Sequence, residues 1–363
     1  MTGGGADGSG LPRLSVFFFS SADTGAHRDK YAFILDAAVL ADRLGFEAAW
    51  LPERHFHAFG GLFPNPAVLA AALATRTSRI RLRAGSVVLP LHHPARVVEE
   101  WSMVDALSGG RVDLSLATGW NKGDFILGGC AFDQRREYLF EHLDTLRELW
   151  RGGEIGYELD GERIGVRTFP VPVQPELGLW LTATTGSDTF RRAGELGLNV
   201  LTGYLRQRRE EMERSIEVYR DAHARGGHSA APHVTLMVHS HAAEDAAQAV
   251  AAVVPPLAEY VDGFLGLNER GRSAIGRSDA ALTEQERRDL AEYSARKYAW
   301  EMGLIGDEAR VLEQLHYFAG IGVDEVACLV DYGLAANQDL ASLRRLGEIR
   351  ARAADREPSA DPA

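Results

Sequence analysis

The chain is predicted to fold as an α/β protein, a closed (β/α)8 barrel, and two observations carry that prediction. Eight short apolar runs recur along the sequence, and amphipathic stretches of helical period separate nearly all of them. Eight strands nearly all separated by helices imply a parallel sheet with both faces covered. An open doubly wound sheet is the competing arrangement, but eight strands match a closed barrel.

The elements follow in order. LSVFFFS (14–20) reads as the first strand, and the helix DKYAFILDAAVLADRLGF leads to the strand EAAWLPE. NPAVLAAALATRT is helical, and IRLRAGSVVL (80–89) is the third strand. Pro94 suits a helix start, and SGG ends that helix after Leu107. RVDLSLATG (111–119) is the fourth strand, followed by one helix over RREYLFEHLDTLRELWRG. Residues 154–175, rich in Gly and Pro, form an irregular or hairpin excursion before the fifth strand, LGLWLTAT. SDTFRRAGELG is a helix, NVLTG the sixth strand, and QRREEMERSIEVYRDAHARGG a polar helix. HVTLMVHSH (233–241) and VDEVACLVDYG (323–333) are the seventh and eighth strands, and a helix from Asn337 to about Arg352 closes the chain.

Two segments exceed ordinary loop length, 154–175 and 241–322. Insertions of that size are usually lids or binding elements. The second is expected to place helices around a mobile loop at GLNERGRSAIGRSDA. The expected organisation is one barrel domain over 13–354 between disordered tails at 1–12 and 355–363.

Composition excludes several functions. A net charge of −12, with Arg interleaved among Asp and Glu, lacks the basic face that nucleic acid requires. No apolar run approaches ~18 residues, and the Gly-rich start lacks the features of a signal peptide, so a cytoplasmic protein without a membrane segment is expected. The two cysteines, Cys130 and Cys328, are too far apart in sequence for a CxxC-type pair. His92 and His93 are adjacent and no HExxH accompanies them, so no metal site is expected. No Walker or GxGxxG motif opens a helix after a strand.

In such a barrel the active site lies at the carboxyl ends of the strands. There the sequence gathers Glu53 to His57, Gly85 and Ser86, Thr118 to Asp124, Thr182 to Thr189, and Gly203 with Tyr204. WLPERHFHAFGGLFPNP is the densest of these segments, and a core would hold Glu53, Arg54, His55 and His57 together only at high desolvation cost. Phe56, Phe59 and Phe63 suit an apolar wall or the core equally. TATTGSDTF enters a helix, where free N–H groups could bind a phosphate, although Ser187 or Asp188 could equally be an ordinary helix cap.

The stretches WLPERHFHAFGGLFPNP, AGSVVLPLHHPARVVEEWSMVDALSGGRVDLSLATGWNKGDF and TTGSDTFRRAGELG, in that order and spacing, resemble the bacterial luciferase-like flavin monooxygenases. LIGDEARVLEQLHYFAGIGVDEVACLV resembles the last helix and strand of that superfamily, and ERHFHAFGG resembles its mupirocin-type subgroup of polyketide and nonribosomal peptide pathways. The resemblance implies a TIM barrel that uses reduced FMN from a separate flavin reductase. It would insert one oxygen atom from O2 into a specialised-metabolite intermediate, free or tethered to a carrier protein, and would form a homodimer. A deazaflavin- or FMN-dependent dehydrogenase on the same barrel and a noncatalytic flavin-binding protein are the alternatives.

Carried over by position, Gly85 and Ser86 match a third-strand bulge beside the flavin ring, often with a non-prolyl cis peptide. Thr118, Gly119 and Trp120 match fourth-strand residues next to the flavin, and Asp124 matches an acid near the site. Gly186, Ser187 and Thr189 match the phosphate-binding turn. Two departures stand out. Luciferases have Glu-His-His where this chain has Glu53-Arg54-His55, and a guanidinium that stays protonated cannot be a general base. Proton handling then falls to His55, His57 or the flavin itself, with His55 the expected group and Arg54 pairing an anion or orienting substrate. Thr118 replaces an Arg that contacts the flavin phosphate in luciferases, and Arg206 is a candidate replacement cation.

Overall fold

The structure is a computed structural model that describes residues 10–22, 25–184, 186–204, 207–274 and 283–356. Strands β1 (Arg13–Phe17), β2 (Ala48–Leu51), β3 (Arg81–Val88) and β4 (Val112–Ala117) alternate with helices α1 (His27–Leu44), α2 (Pro66–Ala74) and α3 (Pro94–Ser108). After β4 come α4 (Arg135–Glu141), α5 (Leu143–Trp150) and an antiparallel hairpin of β5 (Ile155–Leu159) and β6 (Glu162–Val166). The barrel resumes with β7 (Gly178–Thr182), α6 (Ser187–Glu195), β8 (Asn199–Gly203), α7 (Arg209–Gly226) and β9 (Val234–Ala242). Then follow α8 (Ala246–Ala274), α9 (Glu284–Glu301), β10 (Leu304–Gly306), α10 (Glu308–Gly320), β11 (Glu325–Leu329) and α11 (Ala336–Arg356).

Pairing runs β1-β2-β3-β4-β7-β8-β9-β11 and returns to β1, all parallel, so eight strands close the barrel. These are the eight strands read from the sequence. Short β10 joins the outside of β9 and was not foreseen, since three residues carry no periodic signal.

Local chemistry explains several boundaries. Asn65 caps α2 by accepting from the Val68 N–H at 3.2 Å, with Pro66 in the first turn. Gly109 ends α3 in the left-handed region at φ 70°. The single helix expected over 135–152 is interrupted at His142, whose Nδ1 donates to the Tyr138 carbonyl at 2.9 Å while the two rings stack. The expected strands also run past the real ladders: β1 stops at Phe17, β2 at Leu51 and β11 at Leu329. Residues beyond those points turn away to build the carboxyl-end loops.

The segment 241–322 is more ordinary than its length implied. Helix α10 is the barrel helix between β9 and β11, which leaves the α8 and α9 pair, with β10, as the true addition. The expected mobile loop there falls partly on 275–282, outside the described residues. Residues 1–9 and 357–363 of the expected tails also lie outside them. Leu11, however, is buried, and Arg350 donates to the carbonyls of Leu11 and Pro12, while α11 continues to Arg356. Among the described residues no helix is long and apolar enough to cross a membrane.

Inside the amino-terminal half of the barrel lies a buried ionic knot that sequence reading missed. Glu325 is fully buried, hydrogen-bonded by Ser15, by Trp50 Nε1 at 2.9 Å and by Arg83 at 2.6 Å, with His233 Nε2 at 3.1 Å. Arg83 also donates to Asp113 at 2.8 Å, and its guanidinium sits between the Trp50 and Trp180 rings at 5.1 and 4.5 Å. Burial opposes the Glu325 charge, but Arg83, His233 and Ser15 outweigh it and hold the carboxyl well below its ordinary range. None of the knot's residues lines the cavity at the carboxyl ends of the strands, which marks it as structural.

Candidate active site

A cavity of about 270 Å³ opens at the carboxyl ends of the strands. Its floor is a bulge: the β3–β4 register shifts between Gly85 and Val87, and the Gly85–Ser86 peptide is cis. A side chain at Gly85 would bring Cβ within 2.9 Å of the Phe17 ring and 3.1 Å of Trp50, so glycine lets the backbone lie against that pair. Ser86 Oγ and Ser115 Oγ lie 2.5 and 2.7 Å from Thr182 Oγ1, forming a hydroxyl chain across three strands. Thr118, Gly119 and Trp120 line the opposite side, with apolar contributions from Phe17, Val88 and Met237.

Glu53 and Arg54 enter this cavity from the loop after β2. Glu53 Oε1 accepts from Nε2 of His55 at 2.8 Å and of His92 at 2.5 Å, and Oε2 accepts from the Val88 N–H at 2.7 Å. Burial works against the Glu53 charge, yet these donors win and its pKa is lowered. Burial likewise opposes the His92 imidazolium, but the Glu53 contact prevails and raises its pKa. Glu53, His55 and His92 offer ligand atoms within 4.8 Å of one another, the spacing of a metal site. Both Nε2 atoms face Glu53 Oε1, so the three groups are engaged with one another.

Arg54 is 4% exposed, and its nearest acid, Asp124, is reached only at 3.4 Å. Its guanidinium carbon lies 4.8 Å from the Trp120 ring centre, and Nε and the second terminal nitrogen have no acceptor among the described residues. Asp124 takes Asn121 Nδ2 on its other oxygen at 2.6 Å. Burial pushes the Asp124 pKa up despite the Arg54 charge, and pulls that of Arg54 down. A buried guanidinium with two free donors can donate to an oxygen or nitrogen acceptor of a ligand.

Other expected site residues are placed differently. His55 does not line this cavity; its ring nitrogen is held by Glu53, through which it bears on the site. His57 faces a separate cavity, Phe59 forms part of the wall, Phe63 is core and Phe56 is 63% exposed. Gly186, Ser187 and Thr189 do not line the cavity either, although Thr184 does. They begin α6, where Gly186 has φ 74° and no side chain caps the first turn. The ordinary cap foreseen as an alternative is therefore absent there, leaving the first-turn N–H groups without such a partner. Thr185 and Arg206 lie outside the described residues.

Thr182, read from the sequence as a strand-end candidate, lines the cavity, whereas sequence reading missed Met237 and Tyr260. Tyr260 had no usable signal, because only the packing of α8 brings it to the barrel mouth.

Residues 13–325 match the profile of the family described as Luciferase-like monooxygenase. The oxygenase component of flavin-dependent trigonelline monooxygenase from Acinetobacter baylyi is 26% identical over 344 residues, 92% of this chain and 93% of the relative. 4-Hydroxyprotoasukamycin monooxygenase from Streptomyces nodosus subsp. asukaensis is 32% identical over a shorter match, 45% of this chain and 44% of the relative. The same fold occurs in the oxygenating constituent of 3,6-diketocamphane monooxygenase from Pseudomonas putida, solved with FMN (TM-score 0.73, 18% identity, 96% and 99% of the two chains). It also occurs in the coenzyme F420-dependent tetrahydromethanopterin reductase of Methanopyrus kandleri (TM-score 0.67, 16% identity, 93% and 97%). With a profile match spanning most of its length, the chain belongs to the luciferase-like monooxygenases.

Proposed function

We propose that the chain is the oxygenase component of a two-component system. It takes reduced FMN from a separate reductase and inserts one atom of O2 into an organic intermediate of specialised metabolism, as in the mupirocin-type subgroup. The observation that carries this reading is the cavity itself, where Arg54 with two free donors stands among the Gly85–Ser86 bulge, Thr118, Gly119 and Trp120. A side chain on Gly119 would meet Val88 at 2.9 Å and Phe125 at 3.1 Å, so glycine lets the backbone lie against that pair.

These residues fit a flavin. The apolar surface of Phe17, Val88 and Met237 suits a planar ring, and the hydroxyls of Ser86, Thr118 and Thr182 suit its polar edge. Gly186, Ser187 and Thr189, at the uncapped start of α6, would take the phosphate. The reduced flavin, when bound, supplies the activation of O2. The protein holds and orients: Asp124 and Trp120 fix Arg54, Arg54 offers donors to the reacting partner, and His55 and His92 keep Glu53 ionised at the rim. The substrate is a small molecule, free or carrier-bound.

Mixing the protein with photoreduced FMN and air in a stopped-flow instrument is expected to show a transient absorbing species distinct from reduced and oxidised flavin. Oxidation with the spectrum and rate of free reduced FMN would overturn the reading, as would hydride transfer from reduced deazaflavin without O2 consumption. His55→Ala is expected to shorten the lifetime of the transient by loosening Glu53. An unchanged trace would remove His55 from the mechanism.

A further inference from the structure

Across a wall of Phe19, Phe59 and Tyr260, which line both spaces, a second cavity of about 730 Å³ adjoins the first. It lies between α1, α8, α9 and the loops after β1 and β11. Its volume suits a small organic ligand. Among the described residues five carboxyls line it against two permanent cations, Lys30 and Arg287. Lys30 Nζ lies 2.5 Å from the Ser21 carbonyl and Arg287 lies 2.7 Å from Asp262, so both already have partners.

Two of the carboxyls, Asp331 and Asp339, have no basic side chain among the causes that shift them, and neither forms an ion pair among the described residues. Asp331 accepts from the Phe19 N–H at 2.6 Å, the Ser20 N–H at 2.9 Å and the Ser20 hydroxyl at 2.5 Å. Asp339 is 2% exposed, and its Oδ1 has no partner among the described residues. Its position in the first turn of α11 could be read as ordinary complement to the helix dipole. An acid in that role reaches a backbone N–H, as Asp307 does for Arg310 at the start of α10, at 3.0 Å. Asp339 Oδ1 makes no such bond. Burial and the neighbouring Asp331 push its pKa to about 8, and burial raises Asp331 to about 6, so Asp339 holds a proton at neutral pH until a cation beside it favours the carboxylate.

The walls beside these acids are aromatic. Tyr260 and Tyr332 line the cavity and are propped from behind by His239, whose ring lies 4.6 and 4.9 Å from theirs. His239 is fully buried with neither ring nitrogen bonded, and burial holds it neutral with a pKa of about 3. It therefore supplies no counter-charge. Carboxylates between aromatic faces recognise an organic cation. Among the described residues these acids do not bring three ligand atoms close enough together to hold a metal ion.

We propose that this second cavity binds a protonated amine or alkylammonium group through Asp339 and Asp331, and that this group is the head of the substrate oxygenated in the adjoining cavity. The second half of that statement rests on the monooxygenase reading above; the first does not.

The test begins with the whole, flavin-free protein and three probes of similar size: benzyltrimethylammonium, benzyl alcohol and phenylacetate. Calorimetry is expected to show saturable binding of the cation, at least about tenfold tighter than the alcohol, and none of the anion. Asp339→Asn, which keeps shape and removes charge, should abolish that preference while the thermal midpoint stays at or above that of the parent. Equal binding of cation and alcohol, retention of the preference by the variant, or displacement of the ammonium by calcium would each overturn the cation site. A second arm adds the ammonium probe to the photoreduced-FMN experiment. A changed transient in the parent but not in Asp339→Asn supports the substrate assignment. A cation that binds but leaves the transient unchanged overturns that assignment, and an absent transient with intact cation binding overturns only the flavin reading.

Discussion

Replacing Glu325 with Ala is expected to lower the free energy of unfolding by about 3–5 kcal/mol, because it strands buried Arg83 beside a vacancy. It also leaves the Trp50 indole N–H, the Ser15 hydroxyl and His233 without their shared acceptor. Arg83 keeps Asp113 at 2.8 Å, but Asp113 is also engaged by Arg81 at 2.5 Å. The double variant R83M/E325Q should recover much of the loss: Gln keeps an acceptor for Trp50 and Ser15, and Met keeps an apolar stem between the two tryptophans. Urea titration measures both, and an E325A variant within about 1 kcal/mol of the parent would show that the knot matters little. The pH dependence has a definite sign. The folded pKa of Glu325 lies below its unfolded value, so its stabilisation is complete above an unfolded pKa near ~4.3 and is lost as pH falls toward the folded value. The parent should therefore lose more stability than E325A between neutral pH and strong acid.

Arg54→Ala is expected to reduce kcat/KM for oxygenation roughly 10²–10³-fold, the scale for removing a preorganised donor from a dry site. The buried guanidinium has two donors without protein acceptors, and Asp124 at 3.4 Å is too distant to absorb them. Arg54→Lys keeps the charge but not the planar fork that lies over Trp120, and should recover only part of the loss. The division between parameters is informative: a rise in KM alone would place the contact with substrate before reaction, and a fall in kcat would place it at the reacting centre. Turnover above a tenth of the parent in Arg54→Ala would remove Arg54 from the chemistry.

Much of this architecture was legible because local pattern records local geometry. The eight apolar runs became the eight barrel strands, and the backbone bulge appeared at Gly85 and Ser86. Gly85, Ser86, Thr118, Gly119, Trp120, Arg54 and Asp124 all reached one cavity, since each sits at the carboxyl end of a strand or just beyond it. Where a helix breaks for a single contact, as at His142, periodicity carried no warning.

His55 and His57 mark a sharper limit. Both belong to the most site-like stretch of the chain, yet one is held on Glu53 outside the cavity and the other faces a different one. Two residues apart in a loop of irregular backbone, where Phe56 has φ 52°, they follow no period that predicts direction.

By itself, then, the sequence determined the barrel, the end of it that carries the site and the glycines and hydroxyls at the strand tips, because period and strand polarity are properties of neighbouring residues. Only the tertiary structure decided which distant groups meet. Arg83 reaches Glu325 across 242 positions, α8 brings Tyr260 between two cavities, and Asp339 is left beside Asp331 without a cation. Such meetings depend on barrel closure and strand register, and burial then sets their electrostatic consequences; no stretch of contiguous sequence records either.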